Sequence, residues 1–463
     1  MPRSIVALAL ALSVAACTAS PEPAGPAPIH GATDGDEVTV EGIRAHLEAL
    51  QRIADQNGGT RVVGSAGYEA SVDYVVDVLG DAGYEVETIT VDVPAFEQRA
   101  PTVLERVSPS PETWTDDVDL RAMVFSGSGD VRARVTRADG GCEASELAGF
   151  PAGDVALLEP GPCLRRDQVL NAQDAGASAL IFPYADTTAG RPLRPTLLYP
   201  DGIDVPVLAV TPDVGQALTP TSRRSPTVRI GVDASSTWIQ VESVVAETAG
   251  GASDRVVMLG AHLDSVMDGP GVNDNGSGVA MLLEIARWLA SRDAEATVRF
   301  AFWAGEEEGL YGSRDYAAGL SEEEVDTIAA YLNLDMVASP NFVRYVIADA
   351  QTDADAAEGD ERIRTLFTGY FEDLGLEVES VETYGGADHG AFARAGIPVG
   401  GLFAGTVEEK TDEQAERYGG EVGEPLDGCY HQACDTLENV SDVALEQFAA
   451  AYVAVLTELA AVR

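Results

Sequence analysis

Residues 255–266 read RVVMLGAHLDSV, and 278–290, thirteen residues that follow shortly after, read GVAMLLEIARWLA. The first is a near-continuous apolar run of strand length, ending in a histidine and a carboxylate. The second repeats apolar residues at helical spacing. The same alternation follows in 296–305 (ATVRFAFWAG) and 331–337 (YLNLDMV). Apolar strands separated by amphipathic helices predict an α/β fold with a mixed, mostly parallel sheet covered by helices on both faces.

Upstream, Val40 to Leu79 is helical in pattern, with apolar Ile43, Leu47, Leu50 and Ile53, then Tyr74, Val75, Val78 and Leu79. Gly80 to Gly83 closes the second helix, and Tyr84 to Val93 alternates as a strand. From about 97 to 236 the texture changes to short β-like runs rich in Pro and Gly, with one helix around Gln168–Ala175. The order VALLEPG, VLNAQDAGA, ALIFPY, VPVLAVTPDVGQAL resembles a protease-associated domain. The expected organisation is therefore a catalytic domain of 37–96 plus 237–463, interrupted by a β-rich insertion at 97–236.

The formal charge is −47, with a pI near 4.2. Nothing in such a chain can neutralise a run of phosphates, so no nucleic-acid partner is expected. Arg3 followed by apolar Ile5–Ala16 reads as an export signal, too short to span a bilayer. Its end, Val14-Ala15-Ala16-Cys17, resembles the lipobox of bacterial lipoproteins. That implies a signal peptide over 1–17, lipidation of Cys17, and attachment to the membrane through a lipid anchor alone. Residues 18–36, rich in Pro, Ala and Gly, read as a disordered tether. No later stretch reads as a transmembrane helix. Apart from Cys17 there are four cysteines, paired by proximity as Cys142–Cys163 and Cys429–Cys434, as an oxidising compartment allows.

Five segments bring histidines and carboxylates to predicted strand ends, where ligands of open α/β sheets gather. They are Gly260–Ser265 (GAHLDS), Gly271–Gly278 (GVNDNGSG), Gly305–Leu310 (GEEEGL), Asn333–Met336 (NLDM) and Cys429–Asp435 (CYHQACD). Three acids closing a buried-looking strand are costly unless a cation holds them. Two imidazoles among carboxylates favour zinc over magnesium or calcium, and a shared carboxylate can hold two metals about 3.5–4 Å apart.

In order and spacing, AHLDS, NDNGSG, GEEEGLYGS, NLDM and CYHQACDT resemble the zinc metallopeptidase family typified by aminopeptidase Y, closest to its secreted actinobacterial di-zinc aminopeptidases. The resemblance implies a zinc-exopeptidase-like fold and two zinc ions per chain. It implies that His262 and Asp335 complete one site, Glu307 and His431 the other, with Asp274 bridging. Glu306 would be the general base, Tyr430 would donate to the oxyanion, and Asp264 would stand behind the ligands. It also implies a cis peptide after Asp274. Asp388 and His389 read as supporting groups, and no calcium site is expected near Glu446–Ala450. The implied activity is removal of single residues from peptides with a free N-terminus, by an exported enzyme that is lipid-anchored or secreted. A carboxypeptidase or dipeptidase on the same fold, or an inactive binding lipoprotein, are the alternatives.

Overall fold

A computed structural model of the chain describes residues 37–184, 187–188, 191–192, 194–221, 224–349, 354–383 and 385–463. The expected signal peptide, Cys17 and the tether lie outside the described residues.

Val40–Gln56 and Ala66–Asp81 are helices, each capped by a side chain that accepts from its first turn, Thr39 from Gly42 and Ser65 from Tyr68. The chain then enters an eight-stranded sheet in the order Glu85–Gln98, Ala234–Glu247, Ala296–Trp303, Ala252–His262, Ile328–Leu334, Val399–Phe403, Tyr345–Ile347, Glu379–Val381. The four strands from Ala296–Trp303 to Val399–Phe403 are mutually parallel, and antiparallel strands flank them. The result is the mixed, helix-covered sheet that the sequence predicts.

Period-two alternation divides the strands between two cores. Val257, Leu259, Phe300 and Phe302 pack with the helices Val40–Gln56, Ala66–Asp81, Gly276–Leu289 and Asp442–Ala460. Val256, Met258, Ala301 and Trp303 face the other way, onto Ala317 and Phe392 of two short helices. Asp442–Ala460 is long and apolar enough to cross a membrane, contrary to the expectation that no later stretch would be. Its apolar side nevertheless belongs to the core, with Leu445, Phe448, Tyr452 and Leu456 buried.

Strands Glu85–Gln98 and Ala234–Glu247 pair antiparallel along their whole length. They carry the chain out of the first sheet at Gln98 and back at Ala234, slightly past the expected boundaries. Between them lies a second eight-stranded sheet, Val103–Val232, with the helices Arg165–Asp174 and Pro212–Leu218. Cys142–Cys163 is bonded within this insertion, and Cys429–Cys434 in the catalytic part. Two arginines of the insertion, Arg121 and Arg194, both pair with Asp268 of the catalytic part at 2.9 and 3.1 Å.

Candidate metal centre

His262 ends its strand with the ring 1% exposed. Its Nδ1 lies 3.2 Å from the backbone oxygen of Asp264. A carbonyl can only accept, so Nδ1 carries a proton and Nε2 is the nitrogen left to face a ligand. Nε2 faces Asp274 Oδ1 at 3.3 Å and Asp335 Oδ1 at 3.5 Å.

The carboxylate of Asp264 stands behind the candidate ligands without bonding to the His262 ring. It stands 3.8 Å from the imidazole, too far for a hydrogen bond. Instead it accepts from the backbone N–H of Gly305 (3.0 Å), Glu306 (3.3 Å) and Glu307 (3.2 Å). It therefore anchors the turn that presents both glutamates.

Asp274 sits in a loop that opens helix Gly276–Leu289, and its peptide bond to Asn275 is cis. The two Asp274 oxygens diverge: Oδ1 faces His262, while Oδ2 is 3.1 Å from His431 Nε2. Glu307 Oε2 is also 3.1 Å from His431 Nε2. Two groups of candidate ligand atoms result, His262/Asp274/Asp335 and Asp274/Glu307/His431, each within 4.8 Å and sharing Asp274. Glu306 belongs to neither group, although it lines the same recess.

The loop around Asp274 is held from afar, by residues the sequence reading did not assign. Asp435 accepts from the backbone N–H of Asn273 (2.8 Å) and of Asp274 (3.0 Å). The Asn273 side chain donates to Asp427 at 2.7 Å. Arg61, fully buried, donates to the carbonyls of Pro270 (3.0 Å), Gly271 (2.8 Å) and Leu263. One guanidinium thus ties together both ends of the loop joining His262 to Asp274. Gly278 is required by close approach, since a Cβ there would lie 2.3 Å from the backbone oxygen of Leu334, the residue before Asp335.

Tyr430 and His431 stand on the turn closed by Cys429–Cys434, with their rings stacked at 3.8 Å between centroids. His431 adopts φ +57°, a left-handed conformation uncommon for a non-glycine residue. Burial, reinforced by Asp274 and Glu307, raises the Tyr430 hydroxyl well above its usual range, so it stays a proton donor. Asp388 and His389 join neither ligand group. The His389 Nε2 is engaged by Asp349 (3.1 Å) and Thr383 (2.9 Å).

The charge balance shows what the site would accept. Burial opposes charge on His262, yet Asp335 and Glu306 overcome it and raise its pKa well above normal. Burial and neighbouring acids likewise push Glu306 upward, despite His262. Glu307 Oε1 is buried without a hydrogen-bond partner. Two imidazole nitrogens, divergent carboxylate oxygens and an orphaned oxygen suit a divalent cation of mixed N/O preference, and zinc fits this donor set.

The comparisons with known proteins agree with this geometry. Residues 243–456 match the model of Peptidase family M28, and 128–218 match the PA domain. The chain is 39% identical to an aminopeptidase of Pseudomonas aeruginosa over 86% of its own length and 77% of that protein's. It is 38% identical to a probable lipoprotein aminopeptidase, LpqL, of Mycobacterium tuberculosis, over 89% of this chain and 83% of that one. Among solved structures, the aminopeptidase of Aneurinibacillus sp. strain AM-1 superposes with a TM-score of 0.74 at 25% identity, covering 92% of this chain and 96% of that chain. From the motifs, the sheet and these likenesses together, the chain belongs to peptidase family M28 and carries an inserted PA domain.

Proposed function

We propose that the protein is an exported aminopeptidase working with two zinc ions, cutting the N-terminal peptide bond of peptides. The observation that carries this reading is the divergence of Asp274, whose two oxygens face two imidazoles at 3.3 and 3.1 Å. The aminopeptidase relatives support the class of substrate. His262, Asp274 and Asp335 would hold one ion, and Asp274, Glu307 and His431 the other. Zinc bound there supplies Lewis acidity, acidifying water and polarising a carbonyl.

The rest is the work of this chain's residues. Glu306 takes a proton from the attacking water and delivers it to the departing nitrogen. It can do so because its backbone is pinned by Asp264 and its carboxylate is left out of both ligand groups. The Tyr430 hydroxyl donates to the oxyanion of the tetrahedral intermediate. The surrounding carboxylates attract the cationic N-terminus. A recess of about 150 Å³ beside the ligands, walled partly by Met336, Ile347 and Phe403, takes an apolar first side chain.

Export and anchoring rest on the sequence, through residues 1–17 and Cys17, with support from the lipoprotein named in M. tuberculosis. The test of the activity uses leucine p-nitroanilide and its N-acetyl derivative. An aminopeptidase cuts the first and leaves the second intact. Cleavage of both, or cleavage from the C-terminus of a peptide, would contradict the reading.

A further inference from the structure

The 150 Å³ recess is too small for more than one side chain, so the rest of the peptide must leave by another way. An open cleft of about 580 Å³ joins the recess through Glu306, Glu307, Gly386 and Tyr430, which line both. That cleft also carries Arg314 and Arg394. Arg314 stands in the first turn of helix Tyr311–Gly319, and Arg394 ends helix His389–Arg394, packed against it.

Neither guanidinium has a carboxylate within 4.0 Å among the described residues, although acids outnumber bases 76 to 29 in the chain. Arg314 makes one long contact, to the Gly309 carbonyl at 3.3 Å. Partial burial and the charge of Arg314 both lower the pKa of Arg394. Two cations held near each other, beside a chain of excess acid yet unpaired with it, are arranged for an anion from outside. In a molecule this negative, an anionic peptide is repelled at long range, and a local pair of guanidiniums offsets that repulsion at the cleft. Guanidinium matches carboxylate geometry in a bidentate way.

We propose that Arg314 and Arg394 form a carboxylate-binding subsite for the departing portion of the peptide. This rests on the aminopeptidase reading. The carboxylate comes from one of two sources, the C-terminus of a short peptide or an acidic side chain after the scissile bond.

The test compares kcat/KM for Leu-Gly and Leu-Gly-Gly with their C-terminal amides, and for Leu-Glu-amide with Leu-Gln-amide. The same pairs are measured on Arg314→Gln/Arg394→Gln protein. Calorimetric affinities of Glu306→Gln protein for each pair repeat the comparison without turnover. The expected result is a preference of about tenfold for the anionic member of at least one pair, the usual worth of a charge-assisted hydrogen bond, falling to near unity in the double variant. A preference in the first pairs identifies the C-terminus, and one in the last pair the side chain. No preference, or one that survives in the double variant, overturns the subsite. A peptide leaving along the apolar recess beside Phe96 and Met267 would give that outcome. Failure to cut leucine p-nitroanilide would instead overturn the activity itself, while the calorimetric ratio still decides the subsite.

Discussion

At the scale of single residues, the centre separates groups that face the ligand position from groups that hold them there. Glu306 lies outside both candidate ligand groups, and the proposed function gives it the role of base. Replacing it with Gln should lower turnover by about 10²–10⁴-fold, with zinc content by mass spectrometry unchanged. A variant that loses zinc would make Glu306 a ligand. Asp435 acts by accepting two backbone N–H bonds beside Asp274. Asp435→Asn should weaken zinc binding by roughly 10–100-fold, as is usual for groups that orient ligands, measured by competition with a chelator. Unchanged affinity would show that the loop holds its shape without that carboxylate. His262, Glu307 and Asp335 were legible as candidate ligands because each lies at or just past the end of an apolar run, whereas Asp274 and His431 stand on a loop and a turn. The roles of Asp435, Asp427 and Arg61 were not, because they depend on contacts spanning 154 to 210 residues that no local pattern encodes. The way Asp264 holds the glutamate turn was not legible either. Periodicity gives the face a side chain takes, whereas the three N–H groups that capture Asp264 come from a neighbouring strand's end.

At the scale of elements, the sheet was legible because strand and helix differ in period. The strand Ala252–His262 and helix Gly276–Leu289 follow directly from RVVMLGAHLDSV and GVAMLLEIARWLA. The antiparallel flanks and the strand order were not, since pairing is set by contacts remote in sequence. The turn carrying Tyr430 and His431 is closed by Cys429–Cys434. Its disulfide closes so short a loop that, in the chain-entropy model, it stabilises by only about 2 kcal/mol. Its main effect should be positional, keeping His431 in a left-handed conformation that costs about 1–3 kcal/mol elsewhere. A Cys429→Ser/Cys434→Ser variant should therefore lose zinc affinity and activity more than melting temperature. Wild-type zinc affinity with a large fall in melting temperature would mark the bond as a plain staple.

At the scale of the whole molecule, an inserted sheet leans over the catalytic part and is fixed to it where Arg121 and Arg194 share Asp268. The insertion was visible as a change of texture, but its contribution of Thr196 and Leu198 to the cleft was not. A formal charge of −47 makes self-repulsion a global term, so the melting temperature should rise with sodium chloride between low and physiological ionic strength. A flat response in calorimetry would show that local ion pairs already absorb it. The carboxylates gathered around two imidazoles concentrate part of that charge, and a bound metal would relieve it. Adding zinc back to metal-free protein while following hydrolysis of leucine p-nitroanilide decides whether the enzyme works with two metal ions. Activity should climb to a plateau at two equivalents of zinc per chain. A plateau at one equivalent, or no activity at any amount of zinc, would contradict the two-zinc reading.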